Sequence, residues 1–319
     1  MSAVPLSGLG EAQNDAGARY TNPISQNLRI GTLNLNTLLT RPAVQKKSLW
    51  LFLGLCVVAY GFALAGVMFF PNRLPGALLA RAMLAACGVA LLLFGSKMLL
   101  RRDGFPADAL GLQLTLPHVK GFVWGMAGGL LLIALLAATL AVQVPFHWER
   151  GLLSLSHAAI AAHTYFWTSF GEELIFRGYA LVALSCYLGP RKAVWALALP
   201  FGLFHLPGMG LGMAAAKMIA TTSAMSIVFS CSFLRTGTLW TAVGLHVALN
   251  ILLHTLTGLD GEGKTTLWKP IFGLWPTGYD AGFWTFITIT SLVAFFLSRK
   301  IDPRFFTRNP GSRPHGAGD

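Results

Sequence analysis

Between residues 48 and 298 the chain passes through one long apolar run after another, separated by short polar connections. Such a pattern leaves few folds open. Each run approaches the roughly 20 apolar residues that an α-helix needs to cross a hydrocarbon core about 30 Å thick, and inside that core only helices or closed barrels satisfy every backbone group. Charged residues are 11% of the chain, well below the roughly 25% of ordinary soluble domains, and most of them lie outside the apolar runs. The runs give about eight candidate spans, at 48–70, 79–99, 119–142, 163–188, 193–205 with some extension, 212–233, 239–256 and 281–298. The expected fold is all-α, a polytopic membrane helical bundle of about eight transmembrane helices. The fifth run is short and contains Pro200, so its ends are the least defined. Residues 1–47 are expected to form a flexible polar N-terminal tail, and 299–319 a flexible basic C-terminal tail. The first apolar run starts too late for a cleavable signal peptide.

Lys and Arg in short loops set membrane orientation. An even number of spans with both ends in the cytoplasm places Arg19, Arg29, Arg41, Lys46, Lys47, Arg101, Arg102, Lys120, Arg191, Lys192, Arg235, Arg299, Lys300, Arg304, Arg308 and Arg313 inside, against Arg73, Arg150, Lys264 and Lys269 outside. The protein is therefore expected in the plasma (inner) membrane if the source is bacterial. The net charge of +12 is explained by topology and contact with anionic lipid in the bilayer. No nucleic acid partner is expected, because the tails lack the dense charge and interleaved aromatics of an RNA-binding segment. Cys56, Cys87, Cys186 and Cys231 fall singly in four different runs without zinc spacing, and read as small core residues. Gly121, Gly125 and Gly129 form overlapping GxxxG patterns, a packing feature that lets helices approach closely.

The acidic residues are more selective. Of the 12, only Glu172 and Glu173 fall within an apolar run, where an ionisable group costs at least about 2.5–3.5 kcal/mol and faces a cavity or a partner. Glu173 and Arg177 are spaced i, i+4 and can pair on a helix, while Glu172 points about 100° away. One carboxylate is thus committed to structure and the other is free for chemistry. Two further polar positions interrupt later runs: His205, in Phe201-Gly202-Leu203-Phe204-His205, and the pair His246 and Asn250, on one helix face, with His254 four residues further on. Together they offer a carboxylate base, two imidazoles and an amide, the set needed to activate water and stabilise an oxyanion.

Glu172-Glu173-x-x-x-Arg177, Phe201-x-x-x-His205 and His246-x-x-x-Asn250, in this order on successive helices, resemble the three motifs of the CPBP family, the CAAX-protease and bacteriocin-processing (Abi) intramembrane endopeptidases, also called type II CAAX prenyl endopeptidases. Gly237-Thr238-Leu239-Trp240 resembles the approach to the third motif, and the likeness covers about 166–256. It implies a membrane-embedded endopeptidase acting on a membrane-associated protein or peptide substrate. Glu172 would be the general base, His205 would help to hold the attacking water, and His246 and Asn250 would stabilise the oxyanion. Glu173 and Arg177 are assigned to orientation, as their spacing suggests.

Zinc is the cofactor that competes with a metal-free glutamate mechanism, since Glu172, His205 and His246 also read as three ligands with water as a fourth. The chain has no His-Glu-x-x-His, and Asn250 is a poor zinc ligand, so no metal is favoured. Two other classes compete with the enzyme: a non-catalytic membrane binding or immunity protein of the same fold, and a proton-coupled transporter. The transporter is disfavoured because the polar groups cluster in one half of the chain. His157 and His163 are read as interfacial, and 207–212 as a plain connection. The expected topology puts His205 near the outer end of its span and His246 nearer the inner end, which leaves their meeting to be explained.

Overall fold

The computed structural model describes residues 44–70, 76–106, 108–207, 210–257, 266–272, 277–299 and 301. Residues 1–43 and 302–319, which hold most of both expected tails, lie outside the described residues. The described residues are mostly helical: α1 (Lys46–Phe69), α2 (Ala77–Arg102), α3 (Leu116–Gln143), α4 (Leu155–Glu173), α5 (Ala180–Leu188), α6 (Pro190–Phe204), α7 (Met213–Thr236), α8 (Leu239–Asn250) and α9 (Thr277–Ser298). One antiparallel pair of strands, β1 (Phe146–Arg150) and β2 (Trp268–Phe272), sets Glu149 opposite Lys269. The hydrophobic runs gave no hint of this pair, whose strands come from two distant connections.

Five described helical stretches are long and apolar enough to cross a membrane: Lys46–Gly66, Leu79–Arg102, Leu116–Gln143, Met213–Thr236 and Asp280–Ser298. Their outward faces carry large exposed side chains, among them Trp50, Val57, Phe94, Leu131 and Phe296. In water this surface would drive association; lipid chains are its matching solvent. This is an integral membrane protein with an all-α helical bundle.

The other three expected spans take shorter or broken forms, each with a local cause. The run 163–188 is split after Glu173, where Leu174–Tyr179 widens into a π-helical turn and Gly178 leaves helical geometry at ψ −123°. In the run 193–205, α6 has 15 residues with Pro190 in its first turn and Pro200 inside. Pro200 removes one backbone donor, and Pro207 disfavours helix at the residue before it. The run 239–256 begins as the 12-residue α8 and passes into a second π-helical segment, Ile251–Thr257.

Two contacts fix α8. At its start Gly237 takes φ +71° as the residue after α7, and its N–H bonds Phe233 O at 2.8 Å. Thr238 then caps α8 by accepting from Trp240 N, and its hydroxyl donates to Gly111 O at 2.7 Å. Along its length α8 lies against α3 almost backbone to backbone. A Cβ at Gly125 would fall on the Thr241 carbonyl and stand 2.8 Å from Leu245 N, while one at Gly244 would fall on the Phe122 carbonyl. The GxxxG reading of α3 is thus realised as a helix contact, with Gly244 as its counterpart on α8.

Asp103, just after α2, is buried at 3% exposure. Its carboxylate accepts from Ser48 Oγ at 2.8 Å and from Tyr179 Oη at 2.6 Å. Through Tyr179 it ties the starts of α1 and α5 to the end of α2, directly beside the π-helical turn that carries Arg177.

Candidate active site

Helices α4 and α8 run antiparallel, and every fourth residue of one meets every fourth residue of the other. Glu173 faces His246, with Oε1 2.9 Å from Nδ1. One turn along, Asn250 Nδ2 donates to Ser169 Oγ at 3.1 Å. One turn further, where α8 has passed into its π-helical segment, the rings of Tyr165 and His254 stack with centroids 5.6 Å apart. The i, i+4 series His246, Asn250 and His254 seen in the sequence is thus one side of a ladder, whose other side is Glu173, Ser169 and Tyr165.

Below the first rung lies a fully buried ion pair. Arg177 Nη1 is 3.2 Å from Glu173 Oε1, and both side chains have 0% exposure. Two other nitrogens of the guanidinium are held by α7: Nε donates to Ser230 Oγ at 3.1 Å, and Nη2 to Ser226 O at 2.9 Å and Ser226 Oγ at 2.6 Å. Its carbon stands 4.4 Å from the centre of the Phe201 ring, a cation–π contact in a dry setting. Glu173 Oε1 therefore receives both Arg177 and His246, which fixes the imidazole from behind. Phe229 stacks on the same imidazole at 4.5 Å between centroids.

Glu172 lies on the accessible side of this pair, with an 18% exposed side chain. Its Oε2 is 3.5 Å from His205 Nε2 and 3.8 Å from His246 Nε2. Both imidazoles reach it with their other nitrogen already committed. His205 Nδ1 lies 2.8 Å from Phe201 O, and since a carbonyl only accepts, Nδ1 carries the hydrogen. His246 Nδ1 likewise faces the Glu173 carboxylate that Arg177 pairs. Hydrogen-bonding partners thus place a hydrogen on each Nδ1 and aim both Nε2 atoms at one oxygen. That oxygen is buried with no hydrogen-bond partner among the described residues. The separations exceed direct hydrogen bonds and suit a bridging molecule.

His205 follows α6 directly, and its Nε2 comes within 3.5 Å of Glu172 Oε2, so it meets the other site residues although α6 has only 15 residues, about 22 Å at 1.5 Å each. All six site residues expected from the sequence, Glu172, Glu173, Arg177, His205, His246 and Asn250, are brought together. Sequence reasoning missed Ser169, Ser226, Ser230 and Phe229, small or apolar residues that look like ordinary helix-packing positions. Of the other histidines, His163 lies near Trp167, 6.3 Å between ring centres, and the side chain of His157 lies outside the described residues. For zinc, the donors Glu172, His205 and His246 converge, yet among the described residues no group of three or more His, Cys, Asp and Glu side chains is disposed to hold a metal ion.

Comparison with known proteins finds a likeness over the same segment. Residues 154–252, from the start of α4 through Asn250, match the family model described as type II CAAX prenyl endopeptidase Rce1-like. No curated protein and no solved structure matches the chain.

Proposed function

We propose that the protein, whose residues 154–252 match the type II CAAX prenyl endopeptidase, Rce1-like, family model, is an intramembrane endopeptidase that cuts a membrane-associated protein or peptide with a water activated by Glu172. The observation that carries this reading is the convergence of two imidazole Nε2 atoms on one buried carboxylate oxygen. A water among these groups donates one hydrogen to Glu172 Oε2 and is held by His205 Nε2. Glu172 takes that proton as the water oxygen attacks the scissile carbonyl carbon, whose double bond opens to an oxyanion. Asn250 donates to this oxyanion from Nδ2, and His246 in its imidazolium form donates from Nε2, with Glu173 carrying the balancing charge behind it. Collapse of the tetrahedral intermediate breaks the C–N bond, and Glu172 returns its proton to the departing amine. Burial of the site makes each of these interactions stronger than in water. Glu173 and Arg177 hold the imidazole in place and do not touch the substrate.

The test compares peptide termini by mass spectrometry in membranes from cells carrying the protein or its Glu172→Gln form at matched levels. New termini should appear only with the intact glutamate. Loss of a general base lowers the rate by about 10²- to 10⁴-fold. No Glu172-dependent termini in the native host would instead favour a non-catalytic binding or immunity protein. The metal-free assignment is overturned if active protein contains stoichiometric zinc and a chelator abolishes activity that zinc restores.

A further inference from the structure

We infer that Ser169 is a positioning residue for the reaction, holding the side-chain amide of Asn250 in the orientation from which it meets the oxyanion; this rests on the endopeptidase reading above. Asn250 is the last residue of α8, where the chain widens into the segment Ile251–Thr257. Backbone geometry changes there, and an asparagine amide turns freely about its last side-chain bond. Its first rung neighbour, His246, is held by Glu173 and stacked on Phe229, but neither contact reaches Asn250. The hydrogen bond that does fix the amide is Nδ2 to Ser169 Oγ at 3.1 Å. Ser169 is itself fully buried on α4, one turn before Glu173, so its own position is set by the helix that sets the carboxylates.

The amide has two hydrogens and one acceptor oxygen. With one hydrogen given to Ser169, its plane is fixed and the second remains for substrate. The hydroxyl therefore acts on the reaction through Asn250, without touching it. A plain interhelical bond between α4 and α8 would also join these two residues. The two roles differ in what they predict. A bond that only joins helices affects folding and leaves the turnover of the folded protein alone, whereas a positioning bond acts on kcat and only while Asn250 is present.

The experiment measures kcat and KM, on a peptide spanning a cut site found by the terminus comparison, for the wild type, Ser169→Ala, Asn250→Ala, the double variant and Ser169→Thr. Ser169→Ala should lower kcat by about tenfold, less than the roughly 10²- to 10³-fold loss for removing an oxyanion donor, with KM unchanged. Ser169→Thr, which keeps the hydroxyl, should restore most of it, and Ser169→Ala should cost nothing further in the Asn250→Ala background. Equal losses in both backgrounds, or no loss of kcat, would overturn the inference. A second readout needs no turnover: the side-chain amide resonances of Asn250 in asparagine-labelled protein in detergent, identified by their absence from Asn250→Ala. They should shift in Ser169→Ala and return in Ser169→Thr, and unchanged resonances overturn the inference. An inactive wild type whose amide resonances still respond to Ser169 would count against the endopeptidase reading and leave the Ser169–Asn250 tie standing.

Discussion

Glu173 and Arg177 show what a membrane interior demands of a single charge. Neither is exposed, and each is hydrogen-bonded by partners on separate elements: His246 on α8 for the carboxylate, Ser226 and Ser230 on α7 for the guanidinium. Removing one member leaves the other buried and unpaired, which costs about 3–5 kcal/mol. Glu173→Gln and Arg177→Met should each destabilise the protein by about that much, and the double variant by clearly less than the sum. Denaturant unfolding in detergent micelles measures this, and strict additivity would show that the pair is not coupled. The pair itself was legible, because two charges four residues apart in an apolar run have little else to do. Its serine partners were not, since Ser226 and Ser230 sit among small residues that any helix contact uses. Asp103 escaped for a different reason: coming directly after Arg101 and Arg102 it reads as a solvated loop acid, and only the folded chain puts Tyr179 and Ser48 beside it.

Among the elements, α3 and α8 are joined most closely, and the carrier of His246 and Asn250 depends on that contact. Gly125 and Gly128 provide a matched comparison on one helix. A methyl at Gly125 collides with the backbone of α8, at the Thr241 carbonyl and 2.8 Å from Leu245 N, whereas at Gly128 it meets only Leu245 Cδ1 at an ordinary 3.6 Å. Backbone cannot yield as a side chain can, and overpacking of this kind costs about 1–3 kcal/mol. Gly125→Ala should therefore lower both unfolding temperature and peptide cleavage, while Gly128→Ala leaves both near wild type; similar behaviour of the two variants would show that α3 does not position α8. Apolar periodicity and GxxxG spacing made the helices and this contact readable. They did not reveal the π-helical turns that follow Glu173 and Asn250. A wide turn depends on how neighbouring helices take up the freed backbone groups, and π-helical turns concentrate at functional sites. The sequence also gave no sign of β1 and β2, because their pairing joins residues more than a hundred positions apart.

The molecule as a whole has two distinguishable ends, and α3 spans the distance between them. Its 28 residues extend about 42 Å at 1.5 Å per residue, more than the hydrocarbon core of about 30 Å. Beside its start, Leu239 N bonds Leu110 O at 3.0 Å, which brings the α2–α3 connection to the α7–α8 turn. Beyond its far end, β1 pairs with β2, joining the α3–α4 connection to the segment before α9. The first end holds Arg101, Arg102, Lys120 and Arg235, and the second Arg150 and Lys269, so the basic bias predicts that the first faces the cytoplasm. This yields a test of the spanning bundle and of its direction. In a background lacking Cys56, Cys87, Cys186 and Cys231, single cysteines at Asp108 and Arg235 should react with a membrane-impermeant maleimide only once the cytoplasmic face is opened. Cysteines at Glu149 and Lys269 should react in intact cells. A reversed pattern would overturn the direction and keep the span; labelling of all four from one face would mean that α3 does not cross the bilayer.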